Sequence, residues 1–300
     1  MAQREAVIAL GFFDGVHLGH AALLRRVLER AEEKNAIPAV LTFDIHPDTL
    51  VLGTAVPLIN SAGGRADIIR RYFGIQNIFC LHFDREVMHM PWQEFLDTVA
   101  DQLHAVHLVV GHDFSFGNRG EGCPALMERY CPQIGIGVDV IPPVTLDGRV
   151  VSSTYIRRLL TEGRMEEARR YLGHPHSLLD TVHSGYKFGR TIGAPTINMR
   201  FPEGVLVPRH GVYAARAYLP EGTYQAVTNV GVRPTVSGGE RVSVESYILD
   251  FDGDLYGREV RVDFYRFLRE EHRFDAVEAL KAQIQRDAEA TRAYFSALKS

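Results

Sequence analysis

Hydrophobic and polar positions in the first half of the chain alternate between strand-like and helix-like patterns. Short runs rich in Val, Ile and Leu predict buried strands, at Ala6–Leu10, Ala39–Phe43, Asn77–Leu81, Val106–Val110 and Val138–Ile141. Helical spacing of apolar residues predicts helices between them, at His20–Asn35, Gly64–Tyr72 and Trp92–Leu103. This alternation predicts an α/β Rossmann-like domain, a parallel sheet with helices on both faces, in which ligands bind at the carboxyl ends of the strands.

The pattern changes after two further helix-like stretches, Ser152–Leu160 and Met165–Leu172. The segment Gly173–Thr181 has the composition of a linker. Short strand-like runs separated by turn residues then predict an antiparallel barrel or sandwich. These runs are Gly211–Leu219, Tyr224–Val230, Val242–Asp250 and Arg258–Phe267.

Two local signals refine this second half. The pair Asp252-Gly253 between the last two strand-like runs is typical of a hairpin turn. Near the end of the chain, Asp275 and Glu278 have the spacing of a capping box, which predicts the start of a C-terminal helix.

Length and composition narrow the class of protein. The 300 residues fit two domains, and 46% apolar with 23% charged residues is typical of a soluble globular protein. No stretch has the length of a membrane span and no signal-peptide pattern is present, so we expect a cytoplasmic protein with no membrane partner. The net charge is −4 and neither half has a basic excess, which argues against a nucleic-acid partner. Cys80, Cys123 and Cys131 are expected to be reduced, mostly buried thiols.

The sharpest motif is the string from Gly11 to His20, which follows the first strand and opens the first helix. Unpaired amides at a helix N-terminus suit phosphate groups. His17 and His20 are three residues apart and project from the same side of the first turn. Gly19 between them removes a side chain where a nucleotide could approach. A metal site and an ordinary helix surface are the alternatives, but the complete string favours a phosphate-binding site.

A second string, from Val151 to Arg157, starts a later helix. Ser152 or Ser153 can cap that helix, and Thr154 and Arg157 offer phosphate-binding groups. Alone it would be a plain helix cap. Together with the histidine string it resembles the two-part signature of class I-type nucleotidyltransferases.

In the second half, three glycines of the string Gly185–Asn198 permit a loop that folds over phosphates. Thr196 and Asn198 flank one residue and face the same way in an extended chain, and their oxygens suit Mg²⁺. A Walker-type phosphate loop is absent from the sequence. A simple Gly/Pro turn entering a strand is the alternative interpretation.

These motifs, with Thr42–Pro47, Val110–Gly117, Asn229–Thr235 and Val244–Phe251, resemble the bacterial bifunctional riboflavin kinase/FAD synthetase family along nearly the whole chain. The resemblance implies an FMN adenylyltransferase domain at residues 1–174. It also implies a riboflavin kinase domain at residues 175–300, a six-stranded barrel with a C-terminal helix. The implied reactions are riboflavin and ATP to FMN and ADP, then FMN and ATP to FAD and diphosphate.

The same resemblance implies roles for individual residues. Those expected to act in catalysis are Glu245 as general base in the kinase, and His17, His20 and Arg157 in adenylyl transfer. ATP and its phosphates would be bound by Gly11, Phe12, Asp14, Gly19, Ser153, Thr154, Gly189, Arg190 and Gly193. The flavin would be bound by Asp113, Phe114 and Arg233, and Mg²⁺ by Thr196 and Asn198.

Five residues depart from the family's usual pattern. Phe12 stands where Asn is more common, and Asp44-Ile45 where Glu-Pro is more common. Ala194 and Ile197 replace the usual Phe and Ala. A single-activity enzyme and a non-catalytic flavin-responsive binding protein are therefore kept as alternatives. We expect small-molecule partners only, and a monomer or weak homo-oligomer.

Overall fold

A computed structural model describes residues 4–184, 193–234 and 240–298 of the chain. The chain divides into two compact units, residues 1–153 and 154–300.

The first unit is built on a parallel sheet, as the sequence predicts. Its strands are β1 (Ala6–Leu10), β2 (Ile37–Phe43), β3 (Asn77–Leu81), β4 (Ala105–Gly111) and β5 (Gly137–Ile141). Their order in the sheet is β3-β2-β1-β4-β5, and all neighbouring pairs are parallel. The chain therefore winds away from β1 in both directions, which makes the gap between β1 and β4 the topological switch point. A short antiparallel pair follows, β6 (Thr145–Leu146) with β7 (Arg149–Val150).

Helices cover both faces of this sheet. They are α1 (Leu18–Lys34), α2 (Pro47–Leu52), α3 (Ala62–Phe73), α4 (Arg85–His89), α5 (Trp92–Leu103) and α6 (Pro124–Tyr130). Successive residues of β1 point to opposite faces. Val7 packs with α1 and α3 in one core cluster, and Ile8 packs with α5 and α6 in the other.

Strand β3 corrects one expectation. The sequence predicts a buried strand there, but β3 lies at the edge of the sheet, where Phe79 and Leu81 are 37% and 36% exposed. The thiol of Cys80 on this strand is also exposed, and among the three cysteines only Cys131 is buried. An apolar run is equally compatible with a central and an edge strand, so the pattern could not distinguish them.

The second unit is a curled antiparallel sheet of six strands. They are β8 (His176–Thr181), β9 (Thr196–Met199), β10 (Gly211–Leu219), β11 (Gly222–Pro234), β12 (Glu240–Ile248) and β13 (Glu259–Arg269). Their order is β8-β13-β10-β11-β12-β9. An isolated bridge between His183 and Asn198 brings the chain after β8 close to β9, while the edge strands β8 and β9 are not paired with each other in the described sheet. The predicted barrel-like fold is thus confirmed as a half-barrel.

The described residues after the first unit's sheet also form α7 (Ser153–Thr161), which begins at the unit boundary, α8 (Met165–Leu172) and α9 (Val277–Ala297). The C-terminal helix α9 packs on β10 and β11. Arg269 at the end of β13 donates from Nη2 to Asp287 of α9 at 2.8 Å and from Nε to both of its carboxylate oxygens.

Three local predictions in this unit were wrong. Residues of the supposed linker form β8, whose His176 and Leu178 are buried and which pairs with β13. Asp252-Gly253 is not a hairpin turn, because β12 and β13 do not pair; β13 lies between β8 and β10. Helix α9 begins at Val277 with Ala276 as N-cap and no side-chain cap, so Asp275 does not cap it.

Candidate active sites

The loop from β1 to α1 lies at the carboxyl end of the central strand, beside the switch point. Its backbone is unusual: Phe13, Gly15 and Val16 have positive φ angles of 58°, 78° and 44°. A positive φ is costly for a β-branched residue such as Val16, and such strain is often found at functional sites. Gly11 at the start of the loop donates its N–H to the carbonyl of Leu41 at 3.2 Å.

The two histidines of the motif form a stacked pair. Their ring centroids are 3.7 Å apart and the ring planes differ by 10°. His17 is the N-cap of α1, and its Nδ1 accepts the backbone N–H of His20 at 3.3 Å. Burial, the neighbouring His17 and the cation of Arg65 together hold the pKa of His20 well below its ordinary value of 6.5. Since Nδ1 of His20 is buried without a hydrogen-bond partner, the neutral ring can present a polar atom to a ligand.

Gly19 is required by this stack. A Cβ at position 19 would lie 3.0 Å from Cε1 and 3.1 Å from Nδ1 of His17. Any larger residue would press on the His17 ring, so the glycine between the histidines preserves their geometry.

Asp14 and Ser153 hold the loop in place. The carboxylate of Asp14 is buried, and its Oδ1 accepts backbone N–H groups of Ile59 at 2.8 Å and Asn60 at 3.4 Å. The hydroxyl of Ser153 donates to the carbonyl of Asp14 at 2.9 Å. These bonds give both residues a supporting role; their predicted contact with ATP phosphates stays a prediction.

Arg65 is a residue that sequence reasoning missed. Its side chain is fully buried, and its guanidinium donates to the carbonyls of Phe43 and Asn60 at 2.5 Å and 3.4 Å. The guanidinium carbon lies 4.2 Å from the centre of the Phe12 ring. Burial lowers the pKa of Arg65, while the charge of Asp14 acts in the opposite direction. The buried guanidinium of Arg65 therefore packs against the Phe12 ring of the loop, and its burial depends on tertiary packing.

A cavity of about 490 Å³ brings most of the predicted residues of this unit together. Its lining includes Gly11, Phe12, His17, Gly19, His20, Asp113, Phe114 and Ser153. Asp14 does not line it. Thr154 and Arg157 belong to the second unit, where Nη2 of Arg157 donates to Oγ1 of Thr154 at 3.3 Å; their grouping with the histidines stays a prediction.

A second cavity, of about 500 Å³, shares Phe43, Pro47, Asp48, Phe114 and Ser115 with the first. Aromatic side chains dominate its wall: Phe43, Phe83, Phe95, Phe114 and Phe116. The rings of Phe114 and Phe116 are stacked with centroids 5.2 Å apart. Through these shared residues, the cavity at the histidine loop adjoins a pocket lined mainly by aromatic side chains.

In the second unit, strand register places the candidate residues on one face of the sheet. Asn198 of β9 lies opposite Glu245 of β12, which in turn lies opposite Asn229 of β11. Thr196 lies opposite Tyr247 in the next row of the same face. Directly opposed side chains lie about 5 Å apart at Cβ. The predicted base and the predicted magnesium ligands are therefore neighbours, although 47 residues separate Asn198 from Glu245 in sequence.

Thr196 also lines a cavity of about 470 Å³ together with Pro195, Ile197 and the loop of residues 251–256. Gly193, with a φ of 77°, is exposed just before β9. Gly189 and Arg190 lie outside the described residues, as does the side chain of Arg233. Their predicted roles are not addressed by the structure.

Comparison with protein families gives two matches that divide the chain. A model described as FAD synthetase matches residues 1–155, and one described as riboflavin kinase matches residues 172–295. Proteins named bifunctional riboflavin kinase/FMN adenylyltransferase are similar over nearly the whole chain. The relative from Listeria monocytogenes is 37% identical, covering 98% of this chain and 93% of its own. The relative from Escherichia coli K12 is 34% identical, covering 99% and 95%.

The chain belongs to the bifunctional riboflavin kinase/FMN adenylyltransferase family. The family resemblance predicted from the motifs is thereby confirmed.

A solved structure from Streptococcus pneumoniae resembles the chain with a TM-score of 0.83 and 30% identity, covering 97% of this chain and 95% of that one. That protein is named a macrolide-efflux protein. In the present chain, none of the helices within the described residues combines the length and the hydropathy that a membrane span requires.

The donor atoms at β9 fit the magnesium ion expected for an ATP-using kinase. The hydroxyl of Thr196 and the amide oxygen of Asn198 are hard oxygen donors beside a carboxylate, the kind of ligand that Mg²⁺ takes. Within the described ranges, no group of three or more His, Cys, Asp or Glu side chains is arranged to hold a metal. The magnesium site proposed below therefore depends on the Thr and Asn oxygens.

Proposed function

We propose that this chain makes FMN and FAD in two steps, each in its own domain. Residues 175–300 would phosphorylate riboflavin with ATP, and residues 1–174 would transfer the adenylyl group of a second ATP to FMN. The observation that carries the proposal is the match of a separate family model to each half of the chain. Each half also contains its own cavity lined by the corresponding motif residues.

In adenylyl transfer, a phosphate oxygen of FMN attacks the α-phosphorus of ATP and the bond to the β-phosphate breaks, releasing diphosphate. Charge increases on the phosphate oxygens during attack. Donors held in advance at that position lower the barrier. We assign this role to the imidazole N–H groups of His17 and His20 and to the amides at the start of α1. A neutral His20 costs less to bury than a charged one, in agreement with its lowered pKa.

We assign the flavin ring of FMN to the aromatic cavity lined by Phe114 and Phe116. Ligand pockets are commonly apolar with few polar groups, and a flat tricyclic ring gains by stacking on aromatic side chains. Phe114 lines both cavities, and Asp113 lines the polar one. A flavin ring held there would place its phosphate toward the histidine loop.

In the kinase step, the terminal hydroxyl of the ribityl chain attacks the γ-phosphorus of ATP, and the bond to the β-phosphate breaks to release ADP. We assign Glu245 as the base that accepts the hydroxyl proton. Thr196 and Asn198 would hold Mg²⁺, which neutralises charge on the ATP phosphates when bound. The cavity beside Thr196 has room for the nucleotide.

Phe12 is the residue that most favours the single-activity alternative. Its ring contacts the guanidinium of Arg65 on one side and lies 4.6 Å from the ring of His46. The polar side chain that is common at this position in the family is therefore replaced by a packed aromatic. Since the backbone amides of the loop do not depend on this side chain, we expect adenylyl transfer to be retained.

The test is to incubate the full chain with riboflavin, ATP and Mg²⁺ and to separate the flavins by chromatography over time. We expect FMN to form first and then to be converted into FAD. FMN accumulating without FAD would show a single-activity kinase and point to Phe12. No product at all would contradict both activities and favour the alternative of a flavin-responsive binding protein.

We further propose that the enzyme works in the cytoplasm, where ATP is available, as a monomer or weak homo-oligomer. Sedimentation of the full chain over a range of concentrations, with and without flavin and ATP, tests the assembly state. A tight oligomer at every concentration would contradict it.

A further inference from the structure

Asn229 lies at the centre of the candidate kinase site, although neither its motif nor its family resemblance gave it a role. It is the residue of β11 directly opposite Glu245. Asn198 flanks Glu245 on the other side, so Glu245 stands between two carboxamides in one row across the sheet. A side chain in this position can reach a molecule whose reacting hydroxyl is at Glu245.

Glu271, from the segment after β13, fixes the orientation of Asn229. Nδ2 of Asn229 donates to Oε1 of Glu271 at 2.6 Å. A carboxylate only accepts hydrogen bonds, so the amide nitrogen must point toward it. Gly231 makes room for this carboxylate, because a Cβ at position 231 would lie 2.1 Å from Oε1 of Glu271.

This orientation leaves the other end of the carboxamide available. Oδ1 of Asn229 is buried and has no hydrogen-bond partner among the residues that the structure describes. A buried acceptor without a partner is costly, and native proteins rarely keep one without a reason. The partner it needs is a hydrogen-bond donor such as a hydroxyl, since an ionised phosphate oxygen has no hydrogen to donate to a carboxamide oxygen.

We propose that Asn229 accepts a hydrogen bond from a ribityl hydroxyl next to the one that is phosphorylated, and that Glu271 orients it for this. The inference rests on the kinase reaction proposed above. The polyol chain carries hydroxyls on adjacent carbons, and opposed side chains on neighbouring strands lie about 5 Å apart at Cβ. With one hydroxyl at Glu245, the next one along the chain comes within reach of Asn229.

The test compares riboflavin with analogues that each lack one ribityl hydroxyl, using the full chain and its Asn229→Ala variant. One neutral hydrogen bond corresponds to a roughly threefold to tenfold rise in KM for riboflavin. We expect this rise for Asn229→Ala with little change in kcat. One deoxy analogue should be a poorer substrate than riboflavin for the unmodified enzyme but an equal one for Asn229→Ala.

Two substitutions of Glu271 distinguish a role in orienting the carboxamide of Asn229 from a role in packing alone. In Glu271→Gln, the side-chain oxygen can still accept from Asn229, so KM for riboflavin should stay within about twofold of the unmodified value. In Glu271→Ala the carboxamide can turn, and KM should rise toward that of Asn229→Ala. Equal KM values in the two Glu271 variants would contradict the orienting role.

Gln225 provides the matched control. It lies on the same strand and, four residues away, on the same face, and its Oε1 is also buried without a partner. Its neighbour on β10 is Arg216, and the register of β11 with β12 keeps it out of the row that contains Glu245. Gln225→Ala should leave KM and the preference among analogues unchanged.

The outcomes distinguish the inference from the function on which it rests. If Asn229→Ala phosphorylates riboflavin with the analogue preferences of the unmodified enzyme, the hydroxyl contact is wrong and the kinase assignment stands. If the unmodified enzyme phosphorylates no flavin, the proposed kinase function fails and this inference fails with it. Fluorescence titration with riboflavin gives the binding constant of each variant, so a variant with low turnover still reports on the contact.

Discussion

The candidate site of the first unit lies on loops at the carboxyl ends of parallel strands, whereas that of the second unit lies on the strands of an antiparallel sheet. The loop site needs buried support: the carboxylate of Asp14, the guanidinium of Arg65 and positive φ angles at Phe13 and Val16. The strand site is positioned mainly by register, which places Asn198, Glu245 and Asn229 in one row, with Glu271 holding the carboxamide of Asn229.

This difference predicts how single substitutions affect the folding and the activity of the two sites. Loops can present many backbone amides to a phosphate, but their geometry depends on a few buried charges. A strand fixes the side chains on its face, so that single changes there should alter chemistry with little effect on folding. The variants below test this contrast.

Glu245→Gln should have the largest effect. Loss of a general base lowers a rate by about 10²- to 10⁴-fold, so riboflavin phosphorylation should fall by that amount. FMN adenylylation by the same variant should be unchanged. Initial rates with riboflavin and with FMN, measured separately, give both values. Retained phosphorylation would remove Glu245 from the role of base.

His20→Ala should have the opposite pattern. Loss of one transition-state donor costs about 10²- to 10³-fold, so FAD formation from FMN should fall by that factor while riboflavin phosphorylation continues. The same two assays apply. An equal loss of both activities would contradict separate sites.

Arg65→Met tests the buried support of the loop site. Removing one partner of a buried charge arrangement costs about 3 kcal/mol or more, because the carbonyls of Phe43 and Asn60 lose their donor. Hydrogen exchange should become faster in the first unit and stay unchanged in the second. Arg70→Met, at an exposed position of the same helix, is the control. Equal exchange in the two variants would show that Arg65 does not support the site.

His176→Phe tests the second unit, where a buried histidine lies outside the site. Its ring stacks near Phe201 and Phe264, both ring nitrogens are buried without partners, and burial lowers its pKa from 6.5 to about 3. The unfolded chain therefore binds a proton below pH 6.5 that the folded unit does not bind. As a result, the free energy of unfolding decreases as the pH is lowered. The loss between pH 6.5 and pH 5 should be about 2 kcal/mol.

In His176→Phe this pH dependence should disappear. Hydrogen exchange of β8 and β13 at pH 5, 6 and 7 measures it, with His210→Phe, at an exposed position, as control. A pH dependence that is the same in both variants would contradict the assignment.

The sequence was sufficient for the strands and helices that carry strong periodicity. It missed the short helices α2, α4 and α6, which are too short to show a helical period. It missed β8 because the His and Pro residues of Gly173–Thr181 resemble a linker. The burial of His176 in the sheet is a tertiary effect.

The candidate sites show the same limit. His17, His20 and Gly19 could be predicted because they are close in sequence. Arg65 could not, since an arginine on a helix is exposed in most proteins and only packing shows its burial. Asn229 and Glu271 come together across 42 residues, a contact that no local pattern indicates.

The central claim is that two separate sites catalyse the two steps, with FMN as the product of the first and the substrate of the second. The most direct measurement is to mix the purified His20→Ala and Glu245→Gln variants with riboflavin, ATP and Mg²⁺ and to follow FAD. Neither variant alone should form FAD from riboflavin at an appreciable rate, because each lacks one step. Together they should form it, since the first supplies FMN to the second. FAD formation at the unmodified rate by either variant alone, or none by the mixture, would contradict the account.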